Sequence, residues 1–249
     1  MTRTSPTRLL GMGMVAATAT VLFAGCAYLV PPKQFTDSET FDADVRTIRI
    51  DEPSGSVTVR GDADTTTVQL TRTVTYRGAR EVGATFELSG GVLVLSGCGS
   101  TCSVDYEIEV PLGVDVRGET SNGSIELRGV GEVEVESSNG SIELVDVTGD
   151  VDVETSNGRI EGRGLAGTEV NAQTSNGSID LRLAAAQDVE ARSSNGSVRV
   201  EVPTDGATYR VRAESSNGSI DVGITDDPDG EFELDLSTSN GSIGVSRGR

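Results

Sequence analysis

The chain of 249 residues has no histidine and no tryptophan, and aromatic residues make up only 4% of it. Without histidine there is no Ser–His or Cys–His pair for nucleophilic catalysis, and the usual nitrogen ligand of metal sites is missing. The aromatics that carbohydrate enzymes place along their grooves are scarce. A glycosidase also needs two carboxylates set about one bond. No Walker or Rossmann glycine pattern leads into a helix. Positive charge is short as well: 20 Lys and Arg stand against 39 Asp and Glu, a formal net charge of −19. That balance argues against nucleic acid and anionic headgroups as partners and tolerates cations or basic proteins.

Glycine is abundant, with 31 residues, and many belong to one repeated phrase. Ser-Asn-Gly-Ser-Ile stands at 121–125 and 138–142, at 156–160 with Arg159 in fourth place, at 175–179, at 194–198 ending in Val198, at 216–220 and at 239–243. Successive starts lie 17, 18, 19, 19, 22 and 23 residues apart, an internal repeat that governs the fold. In one unit, Val151, Val153 and Thr155 alternate with Asp152 and Glu154, the period of a half-buried strand. Asn157-Gly158 then predicts a turn in which both residues tolerate positive φ. Ile160 opens a second, shorter strand. A hydroxyl of inward phase precedes the turn in the other copies too: Thr120, Ser137, Thr174, Ser193, Ser215 and Thr238.

Two all-β arrangements accommodate such units. One is a repetitive β-solenoid, either a single-stranded parallel β-helix or a flattened β-roll. The other is a sandwich of antiparallel hairpins. The near-identity of the units favours the solenoid, with about nine or ten rungs, because identical residues then stack at roughly 4.8 Å. Asparagines can hydrogen-bond along such a stack, and a glycine column keeps each corner tight. The expected corner ladder is Asn122-Gly123, Asn139-Gly140, Asn157-Gly158, Asn176-Gly177, Asn195-Gly196, Asn217-Gly218 and Asn240-Gly241, with the last pair on the end rung.

Residues 1–25 read as a targeting segment, with Arg3 and Arg8 before an apolar run from Leu9 to Ala24. Leu22-Phe23-Ala24-Gly25-Cys26 resembles the bacterial lipobox, although Phe23 stands where Leu is usual. The resemblance implies a lipidated Cys26 that holds the chain on the outer face of the bacterial cell membrane. A retained anchor and ordinary secretion are the alternatives, and all three put residues 31–249 outside the membrane. Loss of residues 1–25 removes two Arg and no acid, and the charge moves from −19 to −21. Residues 26–44, with Pro31-Pro32 and scattered acids, read as the lipidated Cys and a tether. Alternatively, Phe35 and Phe41 cover the first rung.

The solenoid domain is expected over 45–249, with degenerate rungs to about 110 and regular rungs from about 114. In the degenerate part, Pro53-Ser54-Gly55 and Ser89-Gly90-Gly91 read as corners that lack the Asn. Cys98 and Cys102 lie outside the cytoplasm on this reading, which predicts a disulfide. A free pair and a metal site are the other options. Exposed Glu126, Glu143, Glu161, Asp180 and Asp221 fall in one column, and Arg128, Arg163 and Arg182 in another. These columns can neutralise each other, which makes a solvated, salt-bridged face rather than a catalytic cluster. Asp226, Asp227, Asp229 and Glu231 supply oxygens that suit Ca²⁺, in neither the EF-hand order nor the glycine-rich nonapeptide. No cofactor is expected.

The Tyr106–Pro111 strand that opens the regular array and the Ser-Asn-Gly-Ser-Ile corners together resemble a bacterial family, the domain of unknown function DUF4097, whose members carry the label adhesin. The resemblance covers about residues 45–246. It implies a β-solenoid and brings no catalytic motif. The expected function is a non-enzymatic envelope lipoprotein that presents a rigid repetitive face to a cell-wall polymer or another envelope protein. The alternatives are a polysaccharide-acting β-helix enzyme and an accessory protein of an envelope-stress signalling system.

Overall fold

A computed structural model describes residues 31–42, 44–52, 54–79 and 82–248. Residues Pro32–Arg249 form one compact unit. The period-two segments become strands throughout. The first seven are β1 (Lys33–Phe41), β2 (Thr47–Glu52), β3 (Val57–Asp62), β4 (Val68–Tyr76), β5 (Phe86–Ser89), β6 (Val92–Ser96) and β7 (Cys102–Pro111). The repeat then supplies two strands per unit: β8 (Asp115–Asn122) and β9 (Ile125–Arg128), β10 (Val133–Asn139) and β11 (Ile142–Val145), β12 (Val151–Asn157) and β13 (Ile160–Leu165), and β14 (Glu169–Asn176) and β15 (Ile179–Leu183). It continues with β16 (Asp188–Asn195) and β17 (Val198–Val202), β18 (Tyr209–Asn217) and β19 (Ile220–Val222), and β20 (Phe232–Asn240) and β21 (Ile243–Arg247).

Two sheets result. One runs β1-β4-β7-β3-β9-β11-β13-β15-β17-β21-β19, and the other β18-β20-β16-β14-β12-β10-β8-β2-β6-β5. The repeat strands all pair in parallel with their own kind. Each unit therefore lays one strand in each sheet and turns between them at the Asn-Gly corner, which is a solenoid-like arrangement. Alternate side chains fill the space between the sheets. Ile142 and Leu144 on β11 are fully buried, as are Ile125 and Leu127 on β9 and Val170 and Ala172 on β14. Each fully buried Ile or Leu contributes about 1.5–3 kcal/mol.

Chain order and spatial order part company at both ends. The β2/β3 unit lies against β8/β9, while β6/β7, later in the chain, lies outside it. After β17 the chain skips one level to form β18/β19, then returns so that β20/β21 fills the gap. This detour explains the long spacings of 22 and 23 residues. It also corrects the placement of the end rung, which carries Gly218; Gly241 is interior.

Several expectations are corrected near the amino end. Residues 33–41, read as part of a tether, form β1, which pairs with β4 along its whole length. Paired hydroxyls, Thr36 with Thr73 and Ser38 with Thr71, zip that edge at 3.0 and 2.9 Å. β4 is antiparallel to β7, and β5 is antiparallel to β6, so these segments are not worn rungs. Ser89-Gly90-Gly91 closes the β5–β6 hairpin, with Gly90 and Gly91 at φ +60° and +83°, where glycine is favoured.

Candidate interaction surface

The turn at the repeated phrase is not the positive-φ turn that Asn-Gly suggests. No corner asparagine has positive φ, and Gly140, Gly158, Gly177, Gly196 and Gly218 lie outside the left-handed region. Glycine is required by approach instead. A Cβ on Gly177 would meet the carbonyl oxygen of Gly158 well under 3.0 Å, and one on Gly196 would meet that of Gly177. In six of the seven units the inward hydroxyl donates to the glycine carbonyl of the neighbouring rung, and among the described residues Thr120 Oγ1 finds no partner. Thr174 Oγ1 reaches Gly158 O at 3.0 Å, Ser193 Oγ reaches Gly177 O at 2.9 Å, and Thr238 Oγ1 reaches Gly196 O at 2.9 Å.

The corner asparagines fall in one column, Asn122-Asn139-Asn157-Asn176-Asn195-Asn240-Asn217. Each Nδ2 donates to the Oδ1 of the asparagine before it, at 3.3, 3.0, 3.0, 3.1, 3.0 and 3.1 Å. The column is exposed, as are the serines just before it, Ser121, Ser138, Ser156, Ser175, Ser194, Ser239 and Ser216. The result is a straight stripe of hydroxyl and amide groups repeating at the inter-strand spacing of about 4.8 Å. An open groove of about 730 Å³ follows this stripe, lined by Glu154, Gln173, Arg192 and Glu214 together with Ser175, Ser194 and Ser239.

The return turns are stitched by carboxylates. Asp115 Oδ1 accepts from Glu132 N, Asp150 Oδ1 from Thr168 N and Oγ1 and Glu169 N, and Asp188 Oδ1 from Glu233 N. The Thr168 amide and hydroxyl hold the Asp150 carboxyl below the usual carboxylate range. The sheet that contains β9, β11, β13 and β15 carries the acid and arginine columns side by side. Arg163 bridges Glu143 at 2.6 Å and Glu161 at 3.2 Å, and Arg182 lies 3.8 Å from Asp180. These acids are spent on arginines, at exposed sites where such pairs contribute little.

Asp226, Asp227, Asp229 and Glu231 do not converge. Asp226 Oδ1 accepts the amide of Val211 and Asp227 Oδ1 that of Asp229, while Glu231 donates its own amide to Thr208. Among the described residues no three acids or cysteines gather where they could hold a metal ion. Cys98 and Cys102 are joined in a disulfide with their Cα atoms 5.5 Å apart. Cys26 lies outside the described residues.

The sequence profile of the Toastrack DUF4097 family matches residues 39–247. The chain belongs to this family. Similar solved structures include a protein of Parabacteroides distasonis labelled an adhesin, at 15% identity and a TM-score of 0.47, covering 86% of this chain and 97% of that one. A protein of Clostridium sporogenes labelled a cell adhesion protein is similar at 12% identity and a TM-score of 0.42, covering 88% and 100%. An adhesin-labelled protein of Parabacteroides merdae is similar at 14% and 0.42, covering 87% and 97%. No curated protein matches the chain.

One polar centre of this Toastrack domain was missed in the sequence. Arg72, 6% exposed, sits where β4 turns its side chains inward. It holds both oxygens of Asp37 at 2.6 and 2.8 Å and donates to Gly83 O and Thr85 Oγ1. Phe35 and Phe86 lie under its guanidinium. Its hydrogen bond holds the Asp37 carboxyl below the usual range. Tyr106 donates into the same knot around Thr85 and Ser96. A charged residue in the inward phase of Val68, Leu70 and Val74 was the available signal.

Proposed function

We propose that this Toastrack protein is a non-enzymatic, adhesin-like envelope lipoprotein. Its flattened β-roll of nine or ten rungs serves as a rigid binding or scaffold surface. Lipid on Cys26 would hold it at the outer face of the cell membrane, with the roll outside. The carrying observation is the serine–asparagine stripe. Its asparagines are locked in register by their own side-chain ladder, so the neighbouring serine hydroxyls stand at fixed, repeating positions. A preorganised row of donors and acceptors suits a ligand that is itself repetitive and rich in hydroxyl and amide groups, and loses little entropy on binding it. A cell-wall glycan fits that description. The polysaccharide-enzyme reading has less behind it, because arginines engage the acids Glu143, Glu161 and Asp180 and the lining of the groove along the stripe contains no aromatic residue.

The experiment is co-sedimentation of residues 32–249 with isolated bacterial cell walls. A variant with Ser156, Ser175 and Ser194 all changed to Arg keeps the corner and blocks the stripe. Loss of sedimentation in the variant supports the reading; equal sedimentation of both proteins refutes it. Cys26→Ala in the full chain, followed by cell fractionation, tests the anchor separately: membrane association that survives the change removes the lipid from the proposal.

A further inference from the structure

The seven Asn-Gly corners share one sequence but are not equally held. From Asn139 onward the side-chain amides are clamped twice: Nδ2 donates to the asparagine of the unit before, and Oδ1 accepts from that of the unit after. Asn217 ends the column and breaks the pattern. Its Nδ2 donates to Asn240 Oδ1 at 3.1 Å, and among the described residues nothing donates to its Oδ1. The glycine amides run the same way. Gly123, Gly177, Gly196 and Gly241 donate to the main-chain oxygen of the next corner asparagine at 3.2, 3.1, 3.0 and 3.0 Å. Gly218 has no unit beyond it, because β18 and β19 are the last strands of their sheets, and its amide has no partner among the described residues. Gly140 and Gly158 also lack that bond among the described residues, but Asn139 and Asn157 are clamped twice. Gly218 is exposed, whereas the other six corner glycines are half-buried. Asp226 Oδ1 and the Asp227 amide bond Val211 N and Tyr209 O at the start of β18; Asn217 is at its far end.

We propose that Asn217 is a self-modification site, the one corner where the main chain converts the asparagine to an acid. The closure needs a glycine amide free to give up its proton and an asparagine side chain free to turn back over its own main chain. Among the seven corners, Asn217-Gly218 alone offers both. Gly218 N loses its proton to solvent base and bonds to Asn217 Cγ, which closes a five-membered imide. The Cγ–Nδ2 bond breaks, and Nδ2 leaves as ammonia with a proton from solvent. Water then opens the imide at either carbonyl. One opening leaves an aspartyl residue; the other leaves its β-linked isomer, with one more methylene in the main chain. Either product puts a carboxylate at the end of the serine–asparagine stripe and removes the Nδ2 donor from Asn240. Glycine at the next position helps, because no side chain obstructs the closure. All seven corners share that feature, so the difference lies in the stack. An interior unit must part from neighbours on both sides before its amide can turn, the last unit from one.

The test uses the purified full chain, and it is independent of what the serine stripe binds. The folded protein is held in mildly alkaline buffer made with oxygen-18 water, digested at acid pH, and read position by position by fragmentation mass spectrometry. Each conversion carries oxygen-18 into the new carboxylate, and a zero-time sample sets the baseline. Label should enter position 217 about tenfold or more faster than position 176, the ratio that about 1.4 kcal/mol of extra opening free energy gives. In urea all seven corners should label at similar rates. Asn217→Gln should remove the fast component from the folded protein, because its longer side chain would have to close a six-membered ring, and Asn176→Gln should leave it. The proposal is overturned by labelling of position 217 no faster than that of position 176, or by a fast component that survives Asn217→Gln. It is also overturned by the same ratio in urea, which would assign the difference to local sequence rather than to the end of the stack.

Discussion

Gly177→Ala adds one methyl group at one of the tightest corners of the stack. Its Cβ would have to occupy the space of the Gly158 carbonyl oxygen. Restoring an ordinary van der Waals separation of roughly 3.5 Å requires the two rungs to part at that corner. The bonds at risk are Thr174 to Gly158 at 3.0 Å, Ser193 to Gly177 at 2.9 Å, Gly177 N to Asn195 O at 3.1 Å, and the Asn176 links to Asn157 and Asn195 at 3.0 and 3.1 Å. Each contributes a net of about 0.5–1.5 kcal/mol, and losing half of them costs about 1–4 kcal/mol. That is a large share of the roughly 5–15 kcal/mol that holds a typical domain folded.

Gly218→Ala meets the Gly241 carbonyl in the same way, but its rung has a neighbour on one side only, so about half that loss is expected. Gly83→Ala meets nothing within 4 Å and should leave stability within about 0.5 kcal/mol of wild type. Urea unfolding of residues 32–249, followed by far-UV circular dichroism, gives the three values. Equal losses for Gly177→Ala and Gly83→Ala would show that the corners are independent loops and that the carbonyl-on-glycine stack does not hold the two sheets together.

Two further predictions concern titratable groups. Tyr209 is fully buried, its hydroxyl has no partner among the described residues, and burial pushes its pKa up to about 12 from 10.0. The folded state therefore keeps a proton that the unfolded chain releases, and stability falls as pH rises from 10 to about 12. Tyr209→Phe should remove this alkaline loss and, by deleting an unsatisfied buried hydroxyl, leave neutral-pH stability unchanged or raise it by about 1 kcal/mol, read from thermal melts at pH 7 and pH 11. Asp37 is lowered below 3.8 by Arg72, and Asp150 by Thr168; both favour the fold above pH 3.8 and lose that contribution as pH falls below it. Arg72→Leu should therefore destabilise by about 1.5–3 kcal/mol at pH 7, and the difference from wild type should shrink in melts run below pH 3.8.

The strand periodicity and the stack of like on like were legible because each follows from local spacing. Val151, Val153 and Thr155 announce a buried face, and seven near-identical phrases align most economically with one another. The reason for glycine was not legible, since Asn-Gly has a strong meaning in isolated hairpins. Only the position of the Gly158 carbonyl shows that closeness, not backbone conformation, excludes a Cβ at Gly177. The level skipped between β17 and β20 was also hidden. The phrases at 216–220 and 239–243 are interchangeable as neighbours of 194–198, and loop length alone separates the two orders. The β1 strand was obscured by its polarity: Thr36, Ser38 and Thr40 face solvent along an edge, so the segment lacks the apolar alternation that marks β12.

A corner that works only when stacked also makes the ends of the stack a distinct problem. Each Gly carbonyl needs the hydroxyl of the next rung, and each Asn Oδ1 needs the next Asn. The amino end meets this problem by abandoning the phrase. Its outer rungs have no corner asparagine, its outermost strands run antiparallel, and Arg72 with Asp37, Thr85 and Tyr106 gathers the polar groups under aromatic cover. The opposite end keeps the phrase unchanged. Gly218 and Asn217 stand on the last rung, and among the described residues no hydroxyl reaches the Gly218 carbonyl. Substituting Arg72 should therefore loosen one end without touching the ladder, while a change at Gly218 should loosen the other. Hydrogen exchange would separate the two, with early exchange confined to β1, β4 and β5 in the first case and to β18 and β19 in the second. Exchange spread evenly over both sheets in either variant would contradict a stack whose units depend only on their neighbours.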